Sequence, residues 1–315
     1  MTINWPDNKS FAFTIFDDTD NATIRDKNIT PVYDLLYDLG FITTKTVWPT
    51  KGKLKPSIGG DTCEDLEYLE WVLKLKKKGF EISYHNNTFH TSIRSDIIEG
   101  LEKFKFLFEN YPKTMANHAD CEDGIYWGSK RFSGIYKKVY NFITNYRYDD
   151  FFKGDKIHDK LFWGDICRDK IKYVRNFTFR NINTLKVCPE MPYHDHNKEY
   201  VNYWFASSEG ATVKLFNKTI SDKNQDLLEA EKGCCIMYTH LASQFCINGK
   251  LDKEFVRLMT RLSKKKGWFV PTYKILDHLI ETKKNKNIKN NELSRLQRKW
   301  LVDRIITKII SKFKN

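Results

Sequence analysis

The sequence predicts an α/β fold of parallel strands, a barrel or a doubly wound sheet. Three observations carry that prediction. Apolar runs such as Phe11 to Phe16 and Gly233 to Tyr238 lack the in–out alternation of a half-exposed sheet, as strands buried on both faces do. Stretches with an apolar residue every three or four positions separate such runs, the signature of packed helices. The runs end in acids or histidines, which places ionisable groups at strand C-termini, where α/β folds assemble their sites.

The elements follow in order. After Asp17, Asp18 and Asp20, Thr30-Pro31 opens a helix through Val32, Leu35, Leu36 and Leu39, with Gly40 just past its end. Phe41 to Val47 is a β-branched strand, which completes a βαβ unit. Thr62 and Asp65 form a capping box ahead of an apolar face on Leu66, Leu69, Val72 and Leu73, closed by Gly79. Phe80 to Tyr84 is a short strand that runs into His85 and His90, and residues 95–109 are helical. Residues 113–200 are dense in aromatics, Asn and charges without a clear period, and read as barrel elements carrying a long insertion. Order returns with the strand ending at His240, a helix through Leu251, Phe255, Leu258 and Leu262, and a closing strand at Trp268 to Val270.

Composition narrows the class. With 41% hydrophobic and 15% aromatic residues, the chain can bury a substantial core. Seven scattered cysteines without a C-x-x-C pair suit a reducing compartment better than a disulfide scaffold. The N-terminus lacks a basic n-region and an apolar h-region, so a cytoplasmic protein is expected. Of the net charge of +13, residues 283–315 carry +9, from eleven Lys and Arg against two acids. The body is only mildly basic, and a nucleic-acid partner is not expected. Two units follow: residues 1–282 as the barrel and 283–315 as a basic amphipathic tail. In that tail Leu293, Leu296, Trp300, Leu301, Ile305, Ile306, Ile309, Ile310 and Phe313 recur at helical spacing among cations. Such a helix can contact an anionic membrane through residues 286–315, peripherally on its inner face, or dock on the protein itself.

Three strands end in groups that bind metals or move protons: Asp17 and Asp18, His85 with His90, and His240. One carboxylate and two imidazoles make a common site for a divalent transition metal, Zn foremost and otherwise Co, Fe, Ni or Mn. A metal there acidifies water and polarises a carbonyl, as amide or ester hydrolysis requires. A second Asp beside the ligand can take a proton, and a His opposite can give one to the leaving group.

The motifs resemble those of the polysaccharide deacetylase (NodB-homology) superfamily. Phe13-Thr-Ile-Phe-Asp17-Asp18 is similar to its first motif, Gly79-Phe-Glu-Ile-Ser-Tyr-His85 through His90 to its second, and Gly233 through His240 to its last. The resemblance implies a distorted (β/α) barrel, with Asp17 as general base, Asp18, His85 and His90 as metal ligands, and His240 as general acid. Phe-Asp-Asp-Thr-Asp, together with the Asn-His and Tyr-Trp-Gly segments, resembles the WbmS-like branch associated with O-antigen and other surface-polysaccharide synthesis. An acetylated or lipid-linked sugar is then the implied substrate. Asp20, Asn117, His118 and Trp127 are expected to bind substrate or orient the ligands. The sequence departs from the family where His85 and His90 stand five apart and Thr91 follows in place of Pro. The family's Arg-x-Pro motif, which helps hold the base, has no match; Asn117-His118 lies about where it should be, with His118 taking part of its role. Trp204 is the candidate for the fourth motif. Two other readings remain at this stage: an inactive barrel that binds glycan or a membrane partner, and a glycosyl- or phosphoryl-transfer enzyme using Asp18-Thr19-Asp20.

Overall fold

The computed structural model describes residues 3–283 and 286–312. The first half of the chain runs β1 (Phe11–Asp17), α1 (Thr30–Asp38), β2 (Thr44–Val47), α2 (Leu66–Lys77), β3 (Glu81–Tyr84), α3 (Arg94–Phe108) and β4 (Thr114–Met115). It continues through α4 (Gly134–Ile143), α5 (Gly164–Lys170), β5 (Tyr173–Phe179), α6 (Thr184–Val187), β6 (Tyr203–Glu209), α7 (Val213–Thr219), α8 (Asp222–Ala230) and β7 (Cys234–Thr239). A small hairpin of β8 (Cys246–Ile247) and β9 (Lys250–Leu251) precedes α9 (Lys253–Ser263), β10 (Gly267–Phe269), α10 (Thr272–Glu281) and α11 (Asn290–Lys312).

Strands β1 to β7 pair in chain order, all parallel, and β7 pairs back onto β1 over Ala12 to Asp17. The sheet is thus a closed seven-stranded barrel and not an open doubly wound sheet. The other flank of β1 is divided. β10 pairs with Phe11 to Phe13, and β2 takes over at Phe16 and Asp17. Two short strands sharing one edge distort the barrel there.

Alternation along the strands sorts side chains between the lumen and the helical layer. Across the lumen, the Phe16 and Phe205 rings lie 5.6 Å apart, and the Arg175 guanidinium lies 4.2 Å from the Tyr238 ring. Facing outward from the same strand, Asp17 meets Tyr33 of α1.

Local features mostly follow from the residues. Pro31 lies in the first turn of α1, and Gly40 leaves it at φ +81, a conformation costly for any residue with a Cβ. The expected strand from Phe41 shrinks to Thr44–Val47, because the Phe41 ring instead packs 4.5 Å from Phe269. Thr62 and Asp65 close a turn of their own, Thr62 donating to Asp65 Oδ2 from both N and Oγ1, and α2 begins only at Leu66. The unreadable region 113–200 holds two barrel strands, β4 and β5, with α4, α5 and α6.

The C-terminal helix docks. Leu293, Leu296, Trp300 and Leu301 are buried, and the Trp300 ring packs against Phe132, Tyr140 and Phe177. Arg295 forks onto Glu190 at 2.8 and 2.7 Å. Ile309, Ile310 and Phe313 lie outside the described side chains. Among the described residues no helix is long and apolar enough to cross a membrane.

Candidate metal centre

The C-terminal rim of the barrel gathers ionisable groups from four connections. The Asp18 amide donates to Thr239 O at 2.9 Å, which carries the β1–β7 pairing one step past the strand. The chain then turns, with Asn21 at φ 61, and presents Asp20 to the rim. β3 delivers His85, the loop after β4 delivers His118, and β7 delivers His240.

Asp20, His85 and His118 offer one ligand atom each, all within 4.8 Å of one another, and all three residues are buried. His85 Nδ1 lies 3.0 Å from the Ala116 carbonyl oxygen, so the proton sits on Nδ1 and Nε2 carries a lone pair. That Nε2 faces Asp20 Oδ1 at 3.2 Å, and His118 Nε2 faces the same oxygen at 3.7 Å. Asp20 Oδ1 and His118 Nε2 are buried with no hydrogen-bond partner. Lone pairs converging in a buried place, without donors between them, are matched by a cation. A divalent metal fits here.

The electrostatics agree. Burial opposes ionisation of Asp20, but His240 outweighs it and holds the carboxyl well below its usual value. Burial pushes the His118 imidazole down to about 4, so it is neutral and able to ligate. Trp48 walls this cluster, its ring 6.1 Å from His85 and 5.7 Å from His118.

Asp18 faces the lumen and is gripped by Arg175 of β5, Nη1 to Oδ1 at 2.8 Å and Nη2 to Oδ2 at 2.6 Å. Burial works to raise the Asp18 carboxyl, yet Arg175 brings it below its ordinary value. Asp17 faces the other way. Its Oδ2 accepts from Tyr33 at 2.9 Å and Lys45 at 3.0 Å, and its Oδ1 accepts from the Leu241 amide at 2.7 Å. Burial raises this carboxyl, with Lys45 pulling against it.

On the far side of Asp20, His240 Nε2 lies 3.3 Å from Oδ2. His240 Nδ1 lies 3.0 Å from the Ala211 carbonyl oxygen and donates to it. Burial alone would lower this imidazole, but Asp20 outweighs it and pushes the ring up to about 9. The His240 side chain is 19% exposed, open on one side to whatever enters.

A probable polysaccharide deacetylase from Pseudomonas aeruginosa PAO1 superposes on this chain with a TM-score of 0.50, covering 89% of it and 94% of that chain at 10% identity. The fold is that of a polysaccharide deacetylase barrel. Two further solved structures are similar at lower scores. They are a putative polysaccharide deacetylase from Mycobacterium smegmatis (TM-score 0.49, 9% identity, 92% and 97% covered) and Puue allantoinase (0.48, 10%, 89% and 93%). No family model and no curated protein matches the sequence.

The rim brings together Asp18, Asp20, His85, His118 and His240 from the expected residues, in a different division of labour. His85 alone is common to the expected ligand set and the observed cluster. The three-residue cluster contains Asp20 and not Asp18, whose two oxygens are held by Arg175. His118 stands where His90 was expected. The His90 ring is turned to the 51–54 loop, with Nε2 accepting from the Lys53 amide at 2.8 Å and Nδ1 donating to Thr91 O at 2.9 Å. Asp17, expected as the base, is fully buried and faces away from the lumen, toward Tyr33 and Lys45. Asn117 braces its own loop, exchanging two hydrogen bonds with the Ile125 backbone at 3.2 and 2.8 Å. Trp127 covers Arg131 at 4.3 Å.

Sequence reasoning missed Arg175 and Lys45. A signal existed for both: each is a cation inside an otherwise uncharged, buried strand, Tyr173–Phe179 and Thr44–Val47, and a buried cation requires an acid.

Proposed function

We propose that this chain is a metal-dependent hydrolase of the deacetylase type, cleaving the acyl bond of an acetylated sugar. The observation that carries the reading is the Asp20–His85–His118 cluster at the barrel rim, flanked by Asp18 on one side and His240 on the other.

Asp20, His85 and His118 would hold the ion, leaving further positions for water and substrate. A divalent metal there supplies a Lewis acid that polarises an amide or ester carbonyl and acidifies water. Imidazole and carboxylate donors suit Zn first among Zn, Co, Fe, Ni and Mn. Asp18, kept anionic by the Arg175 fork and facing the lumen, is the acceptor for the proton of the attacking water, through the lone pairs that the fork leaves on its two oxygens. It sits 3.8 Å from His85 Nε2, so the water it activates is next to the ligand cluster. His240 donates a proton to the leaving nitrogen or oxygen from the open side. Trp48 excludes bulk water from the ligand side, which strengthens each of these interactions.

The surface-polysaccharide setting and a lipid-linked or free acetylated sugar as substrate rest on the resemblance of Phe16-Asp-Asp-Thr-Asp20 to the WbmS-like branch. The transferase reading is weakened by the Arg175 fork: with Asp18 so held, Asp18 and Asp20 do not act as a joint metal-binding Asp-x-Asp pair.

The test is acetate release from a panel of N- and O-acetylated sugars by the protein as purified, after chelation, and after return of Zn. Release that stops on chelation and recovers with metal is expected. A protein that takes up metal yet releases no acetate from any of them would leave the glycan-binding barrel ahead.

A further inference from the structure

Helix α11 carries two apolar faces. Leu293, Leu296, Trp300 and Leu301 turn to the barrel, whereas Val302, Ile305 and Ile306 are 47%, 37% and 43% exposed. At about 100° per residue the second group lies opposite the first. Helix α4 and the turn after it repeat the arrangement. Tyr140 and Asn141 are buried, while Ile135, Phe142 and Tyr146, at a spacing of seven and four, are 63%, 79% and 60% exposed. The two helices pack against one another: the Ser133 amide donates to Gln297 Oε1 at 3.2 Å, and the Tyr140 and Trp300 rings lie 6.0 Å apart. Ile135, Phe142, Val302 and Ile305 are left exposed on the outer side, while Ile306 borders a groove with Leu215 and Leu227.

Cations frame them. Lys138 and Arg147 are exposed beside the α4 stripe, and Arg298 and Lys299 on α11. Residues 134–150 contain three cations and two acids, Asp149 and Asp150, with Lys137 3.7 Å from Asp149. Protein interfaces deplete lysine and need a matching surface for every protruding ring. A bilayer interface needs neither: it takes up single protruding Ile, Phe and Tyr side chains and favours cations around them. We propose that the outer face of α4 and α11 is a docking surface for an anionic lipid bilayer. Ile135, Phe142, Tyr146, Val302 and Ile305 enter the interface, and the four cations meet the headgroups.

The surface adjoins the reaction rim. Arg304 of α11 donates to Glu209 Oε2 at 3.1 Å, and Glu209 is the last residue of β6. A sugar carried on a lipid would thus approach the rim along the docked face. The docking inference stands on its own residues and holds or fails independently of the hydrolase reading.

Co-sedimentation of the full chain with vesicles of phosphatidylcholine, with and without phosphatidylglycerol, tests it. Binding is expected only with the anionic lipid. An Ile135→Glu/Phe142→Glu variant, which leaves α11 and the whole C-terminus intact, should bind on the order of tenfold more weakly or worse. Lys138→Gln/Arg147→Gln should weaken binding by about tenfold. All four positions are exposed, so unchanged thermal melts separate lost docking from lost folding. Failure to sediment with anionic vesicles, or undiminished binding by the Ile135/Phe142 variant, overturns the proposal. So does a chain that dimerises through this face, with Phe142→Glu giving a monomer and neither form binding vesicles.

Discussion

Arg175 on β5 holds both carboxylate oxygens of Asp18, at 2.8 and 2.6 Å, across the lumen from the end of β1. The pair is nearly inaccessible, with side-chain exposures of 4% and 3%. Breaking such a pair by removing one partner leaves a buried charge uncompensated. Arg175→Met should therefore cost about 3–5 kcal/mol in urea unfolding. Arg175→Lys, which keeps the charge but loses the fork, should cost less. A fully stable Arg175→Met protein would mean that Asp18 is not held as described.

Asp17 and Asp18 should separate cleanly. Asp18→Asn leaves Arg175 buried and uncompensated, which costs stability as well, and because it removes the proton acceptor it should also lower acetate release per folded molecule by about 10²–10⁴-fold with bound metal retained. Asp17→Asn leaves Lys45 buried and uncompensated, so its main effect should be a loss of stability of several kcal/mol. Turnover per folded molecule, read beside a melting curve for each variant, checks this. The account fails here if Asp17→Asn is stable and inactive while Asp18→Asn stays active.

Arg304 should matter to His240 without touching it. Arg304 donates to Glu209 Oε2 at 3.1 Å, the Ala211 amide donates to Glu209 Oε1 at 3.2 Å, and His240 Nδ1 donates to Ala211 O at 3.0 Å. This chain fixes the ring so that Nε2 points at the site. Arg304→Met is expected to reduce kcat about tenfold with metal content and KM unchanged, and Arg304→Lys to recover most of it. Steady-state kinetics on the three proteins decide it.

Glu81 lies at the opposite end of the lumen and makes stability depend on pH. Its carboxyl accepts from Thr44 Oγ1 and Thr114 Oγ1 at 2.7 Å each and from the Tyr273 amide at 3.2 Å. Burial outweighs these donors and pushes it from 4.5 up to about 7. Between those values the unfolded chain has lost the proton and the folded chain keeps it. Stability therefore falls as pH rises through that window, by about 3 kcal/mol from this group. Glu81→Gln presents its oxygen to Thr44 and Tyr273 and its amide to Thr114 Oγ1, so it should fold and flatten the slope. Urea unfolding at pH 5 and pH 8 measures the difference.

How much of this was readable in advance turns on strand parity. The strand ends themselves were visible: Asp17 and Asp18, His85 and His240 were all singled out from where apolar runs stop. The run Phe11-Ala-Phe-Thr-Ile-Phe is buried on both faces, so nothing in it says whether Asp17 or Asp18 faces the lumen, and a shift of one residue exchanges their roles. His118 follows β4, which is two residues long and leaves no pattern to read. Arg175 sits on β5 inside the aromatic region where no period emerged. The docking of α11 was one of two expectations for an amphipathic tail; its sequence shows which positions are apolar but not that they divide into an inner and an outer face.

The central claim is the ligand set, and metal stoichiometry in two single variants tests it most directly. His118→Ala and His90→Ala would each be dialysed against Zn and counted by elemental analysis. Loss of the ion in His118→Ala, with about one ion per chain kept in His90→Ala, is the predicted result. Retention in His118→Ala with loss in His90→Ala would contradict the account.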